Sequence, residues 1–117
     1  MRIGRFSING FGIFHDVEVT EVPSGLNVFL GENEAGKSTC LAFFRGILFG
    51  FPDRRSSRKQ YPPLRGGRHG GQVGLITSQS DGVILVQRQP GTHGGHVVVT
   101  YPDGASGGKG ELERLLP

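Results

Sequence analysis

The chain has 117 residues, 35% of them hydrophobic and 21 of them glycine, which is enough for one small domain with a modest core. No run approaches the eighteen or so apolar residues of a membrane-spanning helix and the N-terminus lacks a charged-then-apolar signal segment, which argues against a helical membrane protein or a secreted one; a cytoplasmic location is expected. The formal charge of +3 is unevenly spread: Arg54, Arg55, Arg58, Lys59, Arg65 and Arg68, six of the thirteen basic residues, lie between Asp53 and His69 with no acidic residue among them, leaving seven basic against ten acidic residues elsewhere.

In chain order, Arg2 to Ile8 and Phe14 to Val22 read as two strands. Ile3, Phe6 and Ile8, then Val17 and Val19, mark one-sided burial, and Asn9-Gly10 is expected to begin the hairpin turn. Gly25 to Leu30 is a short, mostly apolar run suited to a strand buried on both faces. It leads into Gly31-Glu32-Asn33-Glu34-Ala35-Gly36-Lys37-Ser38, which fits G-x-x-x-x-G-K-[ST], the phosphate-binding loop of nucleotide triphosphatases. The glycines let the backbone curl so that successive N–H groups point at phosphates, and the helix that follows offers its N-terminal dipole to an anion. Lys37 is the point charge for the β and γ phosphates, Ser38 a hydroxyl for magnesium, and Thr39 an additional phosphate contact. Cys40, Leu41, Phe43, Phe44, Ile47 and Leu48 then recur at helical spacing, with Gly46, Gly50 and Pro52 expected to end the helix. Cys40, the single cysteine, reads as core packing rather than a reactive thiol.

The basic segment 53–69 is a contact for the phosphates of a nucleotide or of nucleic acid, or else a solvated loop; charge does not separate these. Beyond it, Gln72 to Thr77, Val83 to Arg88 and His96 to Tyr101 are three short strand candidates separated by Ser80-Asp81-Gly82 and by the glycine-rich stretch from Gln89 to Gly95, so an antiparallel meander is expected. His93 and His96 sit in a glycine-rich turn with no Cys, Asp or Glu nearby to complete a zinc site. Pro102-Asp103-Gly104 turns the chain again, and Glu111 to Leu116 has the pattern of an opening amphipathic helix. That pattern stops at Pro117, and the chain is expected to be the N-terminal part of a longer protein. No apolar run ends in the acidic pair that holds magnesium and orients the attacking water, since Val83-Ile84-Leu85-Val86 is followed by Gln87-Arg88 and Val97-Val98-Val99 by Thr100-Tyr101. The binding half of an ATPase site is present without a hydrolytic half.

The order Ile8-Asn9-Gly10-Phe11-Gly12-Ile13-Phe14, then Gly25-Leu26-Asn27-Val28, then Gly31 to Thr39, resembles the N-terminal ATPase lobe of SMC-like double-strand-break repair proteins. Gly31 to Thr39, together with Leu48-Phe49-Gly50-Phe51-Pro52 and Tyr61-Pro62-Pro63-Leu64-Arg65-Gly66-Gly67, is more similar still to bacterial YhaN-type AAA proteins. The resemblance implies a lobe that pairs with a C-terminal lobe across a long coiled coil, two heads sandwiching ATP, a nuclease subunit and DNA as partners, and no membrane. It carries the phosphate-loop role onto Asn33 and Gly36 to Thr39, and it likens Arg65 to a loop arginine that lies near nucleotide or DNA. Arg54, Arg55 and Arg58 are weaker candidates for the same contacts. One departure is that Phe11 is followed by Gly12 and Ile13 where repair members carry a basic and a polar residue, so only backbone contacts are expected there.

These readings converge on an α/β P-loop NTPase fold of ABC/SMC head type, with the P-loop helix against a mixed sheet and an antiparallel β layer, spanning residues 1–117 as an N-terminal lobe. The site set is Gly31, Asn33, Glu34, Ala35, Gly36, Lys37, Ser38 and Thr39 for ATP, Ser38 for magnesium, Lys37 for catalysis, and Arg65, Arg54, Arg55 and Arg58 for nucleotide or nucleic acid. Hydrolysis is expected to require the missing lobe. The competing readings are a nucleic-acid-binding module working through the basic loop without turnover, and another P-loop class such as a transporter ATPase or a kinase.

Overall fold

A computed structural model describes residues 2–22, 34–52, 59–77 and 82–116. Among these residues, six strands form one sheet in the order β2-β1-β3-β4-β5-β6: β1 (Arg2–Phe11), β2 (Phe14–Val19), β3 (Gly70–Ile76), β4 (Val83–Arg88), β5 (Val97–Thr100) and β6 (Ser106–Gly107). Helix α1 (Glu34–Phe49) lies across one face, and the short α2 (Lys109–Leu115) packs beside β5 and β6. Every pairing among the described strands is antiparallel. The expected strand from Gly25 to Leu30, the one apolar enough to sit inside a mixed sheet, falls outside the described residues.

The expected hairpin and the expected meander belong to one sheet, because β1 pairs with β2 on one side and with β3 on the other. The period-2 pattern explains why: Phe6 faces Val19 and Val73 across the strands, Val73 faces Val86, and Val86 faces Val99. A continuous apolar row therefore runs under α1. The next row joins Ile8, Gly71, Arg88 and Val97, and its glycine is required by close packing, since a Cβ on Gly71 would stand 3.0 Å from Cζ of Phe43.

Cys40, Phe43, Phe44 and Ile47 recur at i, i+3, i+4 and i+7 and are all buried, which is the face of α1 that meets the sheet. Phe44 meets Phe6 edge-on at 5.1 Å between ring centroids, and Phe43 meets Phe11 at 5.6 Å, the offset geometries that aromatic quadrupoles favour. Each large apolar side chain so buried contributes about 1.5–3 kcal/mol. The burial of Cys40 pushes its thiol pKa up, consistent with a packing role. Leu41, however, is 56% exposed and lies off this face, although its spacing suggested core.

Two of the boundaries that differ from sequence expectation do so for a clear packing reason. The first strand continues through Asn9 and Gly10 to Phe11, with Gly10 facing His15 and Gly70, so the hairpin turns at Gly12-Ile13 instead. Gly12 takes φ 57°, a conformation glycine adopts at no steric cost. Gly46 does not end α1. It lies inside the helix, where the Phe51 ring occupies the place a side chain would take, and the helix stops at Gly50, with φ 108°. At the other end of the chain, Tyr101 donates its hydroxyl to Glu111 Oε2 at 2.7 Å, linking α2 to the sheet while Leu112 enters the core.

Candidate phosphate-loop site

The motif Gly31 to Ser38 is expected to curl as a loop ahead of its helix, but the structure begins α1 within the motif, at Glu34. Gly31 and Asn33 lie outside the described residues. Glu34, Ala35, Gly36 and Lys37 form the first turn of the helix, so their backbone N–H groups are among those that have no partner within it. The next two residues diverge. Ser38 is exposed and lines a cavity of about 320 Å³, whereas Thr39 is 5% exposed and turns inward beside Gly12. Adjacent helical positions differ by about 100°, which is why one faces the cavity and the other the hairpin turn.

The cavity wall extends down α1 through Leu41, Ala42 and Arg45, at i+3, i+4 and i+7 from Ser38. Opposite stand Phe51, Pro52, Lys59 and Tyr61, with Phe11 at the base. Tyr61 is held tightly. Its carbonyl accepts a hydrogen bond from Gly12 N at 3.0 Å, the Gly12 carbonyl accepts one from Leu64 N at 2.9 Å, and its ring stacks on Phe11 at 5.1 Å and 18°. It adopts φ 51°, a backbone conformation costing about 1–3 kcal/mol for a non-glycine residue. The Lys59 ammonium stands over the Tyr61 ring, 4.8 Å from its centroid.

These contacts correct one expectation. The Gly12 backbone was expected to remain available for a ligand, but its N–H and its carbonyl are both occupied by the segment from Tyr61 to Leu64.

His69 lies behind the wall, its ring 5.5 Å from Phe11 and 6.1 Å from Phe51. Burial lowers its pKa, against backbone hydrogen bonds with Gln60 and Tyr61 that act to raise it, and its buried Nε2 has no hydrogen-bond partner. Among the candidate arginines, Arg65 is exposed in the loop that packs over the hairpin, where Gly66 and Gly67 approach His15. Arg54, Arg55 and Arg58 lie outside the described residues. Sequence reasoning missed two polar side chains, Arg45 and Tyr61, that line the same space as Ser38. Lys59 was counted only as one charge among six. The spacing of Arg45 from Ser38 was legible in the sequence, but the approach of Lys59 and Tyr61 depends on a loop folding back onto Gly12.

The profile of the family described as AAA domain matches residues 1–95. The chain is 35% identical over 92 residues to a protein of Bacillus subtilis (strain 168) named Uncharacterized protein YhaN, an alignment that covers 79% of this chain and 9% of that protein. The chain thus spans under a tenth of the length of the curated relative it matches.

Proposed function

Because this chain belongs to the AAA domain family, an ATPase-type module, we propose that it is the ATP- and magnesium-binding N-terminal lobe of an SMC-like ATPase head acting in DNA repair or maintenance in the cytoplasm. The observation that carries this reading is the order of glycine loop, helix and cavity, with Ser38 opening onto the cavity one residue after Lys37. Gly31, Asn33, Glu34, Ala35, Gly36, Lys37, Ser38 and Thr39 would hold the triphosphate. Lys37 would act as the catalytic point charge, and backbone N–H groups of the loop and first turn would supply the remaining donors.

Magnesium fits the residues present, since the exposed Ser38 hydroxyl is a hard oxygen donor and this ion normally completes its shell with water and phosphate oxygens. Bound there, it would neutralise phosphate charge. Neither β4 nor β5 ends in an acidic residue for water activation: Gln87 and Arg88 end β4, and Thr100 ends β5. Turnover on this reading waits for a C-terminal lobe, and nucleotide acts by holding two heads together until the γ-phosphate is cleaved. Membership of an ATPase-type family favours this over a stand-alone nucleic-acid module. DNA and a nuclease subunit remain partners within the proposal, with Arg65, Arg54, Arg55 and Arg58 as the contacts.

Calorimetric titration of magnesium-ATP into the full chain and into its Lys37→Ala variant tests the reading. We expect binding that weakens about tenfold or more in the variant, the scale of a lost charge-assisted contact. Equal binding by both proteins would overturn the phosphate-loop assignment.

A further inference from the structure

The Tyr61 side of the cavity carries features that phosphate binding leaves unexplained. A tyrosine held at φ 51°, its carbonyl accepting the Gly12 N–H while Leu64 N donates to the Gly12 carbonyl, and backed by a near-parallel Phe11 ring, is a rigid aromatic plate beside Ser38. Strain of this kind persists only where surrounding structure over-determines it, and it concentrates at ligand clamps. The plate is not sealed into the core. Tyr61 is half-buried, and the group placed over its ring is the exposed, flexible Lys59. A cation–π contact at such a site is worth only about 0.5–1 kcal/mol, so the ring can be uncovered at little cost.

We propose that Tyr61 is the platform on which the base of the bound nucleotide stacks, and that Lys59 yields the ring and moves to the nucleotide's phosphates. This inference rests on the nucleotide reading above and names the part of the same site that recognises the base. The chemistry is complementary. A purine presents a flat π face to Tyr61, base–aromatic stacking is stronger than the exposed cation–π contact it replaces, and the displaced ammonium has polyphosphate oxygens within the same cavity. A cavity of about 320 Å³ is at the lower end of the range that takes small-molecule ligands. Phe11 excludes a second base from the far side of the ring, so a single nucleotide rather than a stacked strand is the occupant.

Two ligands separate this inference from its premise: magnesium-ATP and magnesium tripolyphosphate, which has the phosphates without the base. With the full chain, Tyr61→Ala is expected to weaken ATP about 5- to 100-fold, the range of one base stack, while leaving tripolyphosphate affinity unchanged. Tyr61→Phe, which keeps the ring, is expected to retain ATP affinity. Equal affinity of wild type and Tyr61→Ala for ATP overturns the platform and leaves the phosphate loop standing. Failure of the wild type to bind either ligand overturns the nucleotide reading, and the platform with it. The unmodified protein provides a second readout that does not depend on a variant folding. It has two tyrosines and no tryptophan, so the ring resonances of Tyr61 and Tyr101 can be followed separately by NMR. ATP should shift those of Tyr61 by ring current and tripolyphosphate should not, with Tyr101, bonded to Glu111, as the unmoved reference. ATP binding without a shift at Tyr61 overturns the inference.

Discussion

His69 and Arg88 each bury a nitrogen that has no hydrogen-bond partner, and the two side chains accommodate it differently. Arg88 is 5% exposed and ends the apolar row that β4 presents to α1. A Cβ on Gly50 would stand 3.2 Å from its Nη1, so the guanidinium lies at the C-terminal end of α1, which has no basic residue in its own last turn. A cation there faces the negative end of the helix dipole, an attraction of about 0.3–2 kcal/mol that offsets part of its desolvation. His69 avoids the cost by staying neutral. Its pKa lies below the ordinary value of about 6.5 because burial disfavours the imidazolium, so on acidification the unfolded chain takes up the proton before the folded one. Its contribution to stability is therefore complete above that ordinary value and is lost as pH falls below it. We expect the urea midpoint to drop between pH 7.5 and 5.5, and the drop to be smaller in His69→Phe. An identical pH dependence in the two proteins would remove His69 as its source.

Helix α1 shows how one element serves core and site at once. Its buried stripe of Cys40, Phe43, Phe44 and Ile47 holds it to the sheet, while the opposite side offers Ser38, Leu41 and Arg45 to the cavity. Gly46 illustrates a conflict between local propensity and tertiary packing. In an exposed helix interior, glycine to alanine stabilises by about 0.5–1 kcal/mol. Here the Phe51 ring fills the space, so the added methyl would displace a ring that is itself buried and packed on Phe11. Gly46→Ala should therefore destabilise by about 1–3 kcal/mol, the usual cost of overpacking, as read from chemical denaturation. A stabilised variant would show that Phe51 yields freely.

At the scale of the molecule, the sheet positions the cavity at one end, where the hairpin turn, the segment from Lys59 to Leu64 and the first turns of α1 meet. Among the described residues no helix is long and apolar enough to cross a membrane. The segment between α1 and β3 carries the concentrated positive charge, and its described cations Lys59, Arg65 and Arg68 are exposed. If this segment meets DNA, binding should weaken with salt in proportion to the phosphates neutralised, at a slope of about 0.9 per contact. Replacing Arg54, Arg55 and Arg58 by serine should make the plot of log affinity against log salt shallower by about 2–3, measured by fluorescence anisotropy with duplex DNA. An unchanged slope would assign those arginines to solvent.

What could be read from sequence was whatever is encoded locally. Residue spacing identified the helix that follows the glycine–lysine motif, alternation identified the hairpin and the meander with β4 at its full extent, and the Val97-Val98-Val99 run announced a core strand. Such signals suffice because a period of 3.6 or 2 and a four-position glycine–lysine motif are properties of neighbouring residues. Contacts between distant residues decided the rest. Gly10 reads as a turn until Gly70 pairs with it, and Gly46 reads as a stop until Phe51 folds over it. Tyr61 is an unremarked aromatic in a loop until Gly12 accepts and donates the hydrogen bonds that set it beside Ser38. The sequence by itself determined that a G-x-x-x-x-G-K-[ST] motif runs into a helix, since that pattern lies in eight consecutive residues. Only the tertiary structure decided which side chains wall the cavity beside it, because they come from four separated segments brought together by sheet pairing and core packing.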